Sequence, residues 1–561
     1  MTLLNETYYG QDKKNSSTGR NGRGTPLGSS LSAEAIQGWI IDKLAQLLEI
    51  EPHEIDIKQD LSEYGLDSVE AINLSGELEK LLGCRLAPTL LWDYQNIETL
   101  ARYLATRAVA NHQSDSVSEA VDEFSSPSQI QTGAENAKDI VIPPEYYRFD
   151  YFPEYQKLQA QLEQVQALGT GNPFFIPHEG IVTDKTIIGG RELINFATYN
   201  YIGMCGDPIV SQAAKEAIEQ YGTSACASRL ISGEKPLHRE LEKEIADLIG
   251  TEDSIVFVGG HATNVTTIGH LFGQNDLILY DALSHNSILQ GCFLSGASLV
   301  AFPHNDHTAL AEILRDRRHS YQRVLIAIEG VYSTDGDIPD LPKFIELKKR
   351  YQTFLMIDEA HSLGTLGKSG RGIGELFNVD PADVDLWMGT LSKSFASCGG
   401  YIAGSSALVE YLKYTAPGFV FSVGMSPPNA AATLAAIRQL KAEPERVSRL
   451  QERAKLFLTL ALERGLNTGM SKDSPVIPII VGKSLKSIQL SQNLFQRGIN
   501  VPFMIYPSVP QNAARLRFFI TCNHTEEQIN FTIDTLAEEL AKLTSQSNKP
   551  PNPFHPERLQ Q

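Results

Sequence analysis

Two stretches, RVLIAIEG (Arg323–Gly330) and TFLMIDEA (Thr353–Ala360), decide the fold. Both are short, apolar and β-rich, and a helical pattern separates them. Five more runs share that character: SIVFV (Ser254–Val258), LILYD (Leu277–Asp281), SLVAF (Ser298–Phe302), VDLWMGT (Val384–Thr390) and GGYIAG (Gly399–Gly404). Strands alternating with helices predict a mainly parallel sheet covered on both faces. In such a sheet, chemistry belongs at the carboxyl ends of the strands. Asp358 sits at one of these ends, and Lys393 lies just beyond another.

Working outward, 561 residues predict two to four domains, and 42% hydrophobic residues can fill a large core. A formal net charge of −19 argues against nucleic acid or an anionic membrane surface as principal partner. Six scattered cysteines (84, 205, 226, 292, 398 and 522) form no CxxC pair and no metal-ligand spacing, so no metal centre is expected. The pattern fits a reducing compartment. No apolar run reaches the ~20 residues of a membrane span, and the polar start lacks the apolar core of a signal peptide. A cytoplasmic protein is expected.

Residues 1–30 read as a disordered tail. Residues 31–107 carry short amphipathic segments and predict a small all-helical domain. Residues 108–149 are rich in Ser, Gln and acids and read as a flexible linker. Residues 150–545 are globular, with a large domain over about 190–425 and a smaller α/β domain over about 426–545; residues 546–561 form a second tail.

Several motifs in the globular region carry a resemblance. GTLSKSFASCGGYIAG (389–404), IEGVYSTDGDIPDL (328–341), MIDEAHSLGTLGKSGRGIGE (356–375) and YGTSACASRLISGEKPLHRELE (221–242) occur in one order. In that order they resemble the α-oxoamine synthases, fold-type I enzymes dependent on pyridoxal 5′-phosphate (PLP). The family includes serine palmitoyltransferase, aminolevulinate synthase and 8-amino-7-oxononanoate synthase. The resemblance implies a mainly parallel seven-stranded sheet with a smaller C-terminal domain, and a homodimer with its active sites at the subunit interface.

It also implies site residues. Lys393 would hold PLP as a Schiff base, which requires a desolvated amine. Asp358, costly to bury unpaired, would face the ring nitrogen. His361 would reach the phenolic oxygen, with Ser333 near it. His285, in DALSHNS, would stack on the ring; Asn286 follows it where relatives often have a small residue. The phosphate would lie at GGHATN, around Gly260 and His261 at a helix start, with Thr390 in reach. A planar guanidinium suits the amino-acid carboxylate, and ARLRFFI offers Arg515 and Arg517, with the family pattern favouring Arg517. TYNYIG contains Tyr199 and Asn200, where relatives place an asparagine against that carboxylate, but in shifted order.

One N-terminal motif remains. In GLDSVEAIN (65–73), Asp67 and Ser68 can both cap a helix, and Val69, Ile72, Leu74, Leu78 and Leu81 follow near helical spacing. The stretch resembles the phosphopantetheine attachment motif of acyl carrier proteins, with Ser68 as the modified residue. The nearby acids Glu63, Asp67, Glu70 and Glu77 form either a recognition face or an ordinary solvated face.

The combined resemblance implies condensation of an amino acid (glycine, alanine or serine) with an acyl thioester, with loss of carboxylate, giving an α-aminoketone. The implied partners are a phosphopantetheinyl transferase and upstream acyl-loading or polyketide synthase proteins. Two alternatives stay open: a synthase that uses free acyl-CoA, and an N-terminal domain that is an unmodified docking module.

Overall fold

The structure is a computed structural model describing residues 32–48, 50–59, 64, 74, 77–78, 81–82, 96–114, 142–166, 172–506, 508–510 and 512–547. The described residues divide into two compact units, 32–114 in one and 142–547 in the other.

The N-terminal unit is helical. In the helix Ala33–Leu48, Ile36, Ile40 and Leu44 recur every four residues and are fully buried. The helix Ile97–Ser114 supplies Ile97, Leu100 and Leu104 to the same core, which also takes Leu74 and Leu78. Each such side chain contributes roughly 1.5–3 kcal/mol relative to exposure. The second helix continues through Ser114, seven residues past the expected boundary at 107, because ATRAVA favours continued helix. Ser68, Glu63, Asp67, Glu70, both tails to residues 31 and from 548, and linker residues 115–141 lie outside the described residues.

Among its described residues the second unit contains thirteen strands: β1 Lys185–Ile188, β2 Arg191–Asn195, β3 Asp253–Phe257, β4 Leu277–Asp281, β5 Ser298–Phe302, β6 Val324–Glu329, β7 Phe354–Asp358, β8 Leu386–Thr390, β9 Gly400–Gly404, β10 Val476–Gly482, β11 Ile499–Asn500, β12 Phe503–Met504 and β13 Ala514–Phe519. The main sheet runs β3-β9-β8-β7-β6-β4-β5, with only β9 antiparallel to its neighbours. These are the seven runs read from the sequence. β4 and β6 are buried along their whole length because helices cover both faces. Two apolar cores result, one containing Leu279, Ile326, Ile357 and Trp387, the other Ile278, Leu325, Met356 and Met388.

The smaller domain differs from expectation at both ends. The helix Pro427–Ala442 packs on the helices Pro208–Tyr221 and Pro236–Ile249 of the large domain. Its buried Ala430, Ala431, Ala432, Ala435 and Ala436 allow that close approach. Conversely, β1 and β2 join β11 in a three-stranded sheet, with Ile194 opposite Ile499. Strands near residue 190 therefore complete a sheet of the C-terminal domain. The third sheet is β10-β13-β12.

Candidate active site

The ends of β6, β7 and β8 converge. Glu329 and Asp358 are the last residues of adjacent parallel strands and are paired in register. Both are buried. Asp358 Oδ2 accepts a hydrogen bond from Asn264 Nδ2 at 2.8 Å, and Oδ1 accepts one from the Ala360 amide at 2.9 Å. Burial, and then the Asp358 charge, pushes the Glu329 carboxyl well above the carboxylate range. Glu329 Oε1 lies 2.5 Å from the His285 amide that donates to it.

Lys393 follows β8 in a tight loop closed by Ala396 N–H to the Lys393 carbonyl and Ser397 N–H to the Leu391 carbonyl, both 2.9 Å. Its Nζ sits 5.7 Å from the centroid of the Tyr199 ring. Desolvation lowers its pKa to about 8, with Asp358 and Glu329 opposing the shift and Arg517 reinforcing it. His361 is buried, and its Nδ1 meets the Tyr201 hydroxyl at 2.7 Å. Burial, then the charges of Lys393 and Arg517, holds its pKa well below the ordinary histidine value. The imidazole is neutral at neutral pH.

His285 caps the helix Asn286–Ser295. Its Nδ1 accepts from the Ser287 amide at 3.2 Å and lies 2.8 Å from Ser287 Oγ. Desolvation lowers its pKa, and Asp358 partly opposes the change. The helix Gly260–Leu271 begins after Gly259 with no side-chain cap, leaving first-turn N–H groups for an anion. A Cβ on Gly260 would stand 2.7 Å from Thr390 Oγ1, so backbone and threonine meet only because residue 260 lacks one. His261 is exposed at this turn.

The two arginines separate. Arg515 is buried, and its Nη1 forms an ion pair with Asp335. Its Nε also donates to the Ala513 carbonyl at 2.9 Å, so two of its nitrogens are engaged within the protein. Arg517 donates from Nη1 to the Ser333 carbonyl at 2.9 Å and stacks over Phe519, while its buried Nε has no partner among the described residues. Ser333 thus meets Arg517 through its backbone. Asn200 is turned to Cys205, accepting from that residue's amide at 3.0 Å, so it closes its own loop. Tyr199 instead presents its ring to Lys393.

Sequence reasoning missed Asn264, Ser287, Glu329, Tyr201 and Asp335. Glu329 had a signal, since it ends its apolar run as Asp358 does. Asn264 had none, being a polar residue inside a helix.

The residues fit PLP and an amino acid. They supply an amine near neutrality, a buried carboxylate, an uncapped helix start and a guanidinium with an unmatched donor. No described helix is long and apolar enough to cross a membrane.

Residues 191–536 match the family described as aminotransferase class I and II, and residues 38–104 match the phosphopantetheine attachment site family. A putative 8-amino-7-oxononanoate synthase of Desulforudis audaxviator is 38% identical over 68% of this chain and 98% of its own length. The 8-amino-7-oxononanoate synthase of Symbiobacterium thermophilum is 39% identical over 63% and 90%. Among solved structures, the Sphingomonas wittichii serine palmitoyltransferase is 30% identical with a TM-score of 0.67, covering 71% of this chain and 99% of that one. The chain therefore belongs to the aminotransferase class I and II family, within its PLP-dependent oxoamine synthases, and carries an N-terminal phosphopantetheine attachment domain.

Proposed function

We propose that this enzyme condenses an amino acid with an acyl thioester carried on its own phosphopantetheine at Ser68, releasing carboxylate and forming an α-aminoketone. The observation that carries the reading is the union, in one chain, of a phosphopantetheine attachment domain at 38–104 and a catalytic domain at 191–536.

PLP, when bound, supplies an electron-withdrawing ring that spreads negative charge from the amino acid's α-carbon. Lys393 would hold it covalently, and once the amino acid's own amine has displaced Lys393 the freed Nζ would take the Cα proton. Asp358 would face the ring nitrogen and favour its protonated form; its carboxylate is held by two hydrogen bonds and buried. His361, backed by Tyr201, serves the phenolic oxygen as a neutral partner. Gly260, His261 and Thr390 hold the phosphate, and the Arg517 guanidinium binds the substrate carboxylate.

The acting unit is a homodimer, primed by a phosphopantetheinyl transferase and loaded by upstream acyl-loading or polyketide synthase proteins. This assigns it to cytoplasmic natural-product biosynthesis. The deciding experiment is intact-mass analysis of the acylated protein. Adding amino acid should remove the acyl mass from Ser68 within one turnover. If Ser68→Ala makes product from acyl-CoA as fast as the tethered form does, the donor is free acyl-CoA and the tethered reading fails.

A further inference from the structure

Around His285 the hydrogen bonds have directions that fix where its proton lies. The Ser287 backbone N–H points at His285 Nδ1 from 3.2 Å, and a backbone amide can only donate. Nδ1 must therefore be bare. Ser287 Oγ, 2.8 Å from the same nitrogen, must then donate to it as well. That hydroxyl in turn accepts from Asn264 Nδ2 at 2.9 Å, while the other Nδ2 hydrogen goes to Asp358 Oδ2 at 2.8 Å. The opposite amide orientation would set Asn264 Oδ1 against the Asp358 carboxylate. Asn264, Ser287 and Asp358 are all buried, so water does not break this directional chain. The His285 amide is fixed separately by Glu329 Oε1. Among the described residues, no hydrogen-bond partner meets Nε2.

We propose that Asn264 and Ser287 are positioning residues that lock His285 as the Nε2–H tautomer, so that the ring offers the amino-acid substrate a hydrogen-bond donor and no basic lone pair. The inference rests on the proposed function and deepens it. A bare Nδ1 spent on Ser287 is not free to accept the Cα proton, which leaves that step to the Lys393 amine of the proposed function. The Nε2–H can hold the substrate carboxylate or the developing acyl oxyanion, and the neutral ring adds no cation beside Lys393 and Arg517. Asp358, Lys393, His261, Arg517 and Glu329 are the charged or titratable groups around His285.

The test uses full-length protein loaded with PLP and selectively labelled with 15N-histidine, with His285→Asn assigning the resonances. The expected spectrum near neutral pH shows an unprotonated Nδ1 and a protonated Nε2. Ser287→Ala keeps the backbone donor and loses only the hydroxyl, so it should weaken the preference for that tautomer without abolishing it, and Ser287→Thr should restore it. Exchange of the amino acid's Cα proton with D2O, which needs no acyl donor, should slow about tenfold in Ser287→Ala, as expected for one lost hydrogen bond, while PLP content stays constant. A protonated Nδ1 in the parent protein overturns the proposal. So does an unchanged tautomer together with an unchanged exchange rate in Ser287→Ala. Failure to find condensation product would sink the proposed function but leave the tautomer result standing.

Discussion

The lysine's pKa of about 8 has a measurable consequence for how the protein acquires its cofactor. Only the neutral amine attacks an aldehyde. At pH 7 a group with that pKa is ~10% neutral, against ~0.04% for an unperturbed lysine near 10.4. Covalent capture of PLP by cofactor-free protein should therefore accelerate about tenfold per pH unit below 8 and level off above it. Asp358 is the largest influence holding the pKa up, so Asp358→Asn should lower the midpoint by about one unit. Capture at pH 7 should then quicken roughly fivefold, although turnover falls because a neutral amide stabilises the ring cation poorly. The assay is stopped-flow visible absorbance across pH, with borohydride trapping at timed points. A parent midpoint near 10, or a midpoint that rises in Asp358→Asn, would refute the reasoning. The linkage has a definite sign. A lysine whose folded pKa lies below its unfolded value costs stability below pH 8, about 3 kcal/mol, and the cost fades as pH climbs toward 10.4.

Borohydride reduction of the yellow protein followed by peptide mapping should place the label on Lys393, and Lys393→Ala should lose turnover by orders of magnitude; a label elsewhere contradicts the assignment. Arg517→Ala should raise the amino-acid KM far more than it lowers kcat, read from steady-state kinetics. Arg515→Ala should leave Asp335 buried without its cation and lower stability by roughly 3–5 kcal/mol, seen as a drop in Tm. Gly260→Ala would drive a Cβ into Thr390 and should weaken PLP retention, measured by equilibrium dialysis. Sedimentation should show a dimer, and an active monomer at working concentration would count against the interface reading.

The seven strands were legible because each is a short apolar run, and burial on both faces makes such runs continuous. Asp358 and Lys393 were legible because an acid or an amine at the end of such a run is costly without a partner. Residue type and spacing alone do not separate Arg515 from Arg517, and only the family resemblance favoured Arg517. They lie two apart on one strand, and what distinguishes them is Asp335, 180 residues upstream of Arg515. Asn264 and Ser287 were invisible for the same reason, since their meaning lies in contacts with Asp358 and His285 that exist only after folding. The pairing of β11 with β2 was likewise hidden, because two-residue strands leave no period to read.

The loop between β6 and the following helix explains how Ser333 and Arg517 hold their places. His304 bridges Asp281 and Asp337 at 2.7 Å each, tying the far end of the loop to the main sheet. Those two carboxylates outweigh desolvation and raise the pKa of His304 to about 10, so it acts as a fixed cation. From the other side, Arg515 pairs with Asp335, Ser474 Oγ donates to the Gly336 carbonyl at 2.6 Å, and Arg517 holds the Ser333 carbonyl. Gly336, with φ of 71°, packs so closely that a Cβ would stand 1.8 Å from the Val476 carbonyl. The loop is therefore gripped from the main sheet and from the segments around β10 and β13, and Ser333 and Arg517 keep one spacing only while that grip lasts. Loosening it at Gly336 should move Arg517 away from the substrate carboxylate without touching Lys393. Gly336→Ala should therefore raise the amino-acid KM while leaving covalent PLP capture unchanged, and a parallel loss of both would show that the loop supports the whole site and not the arginine alone.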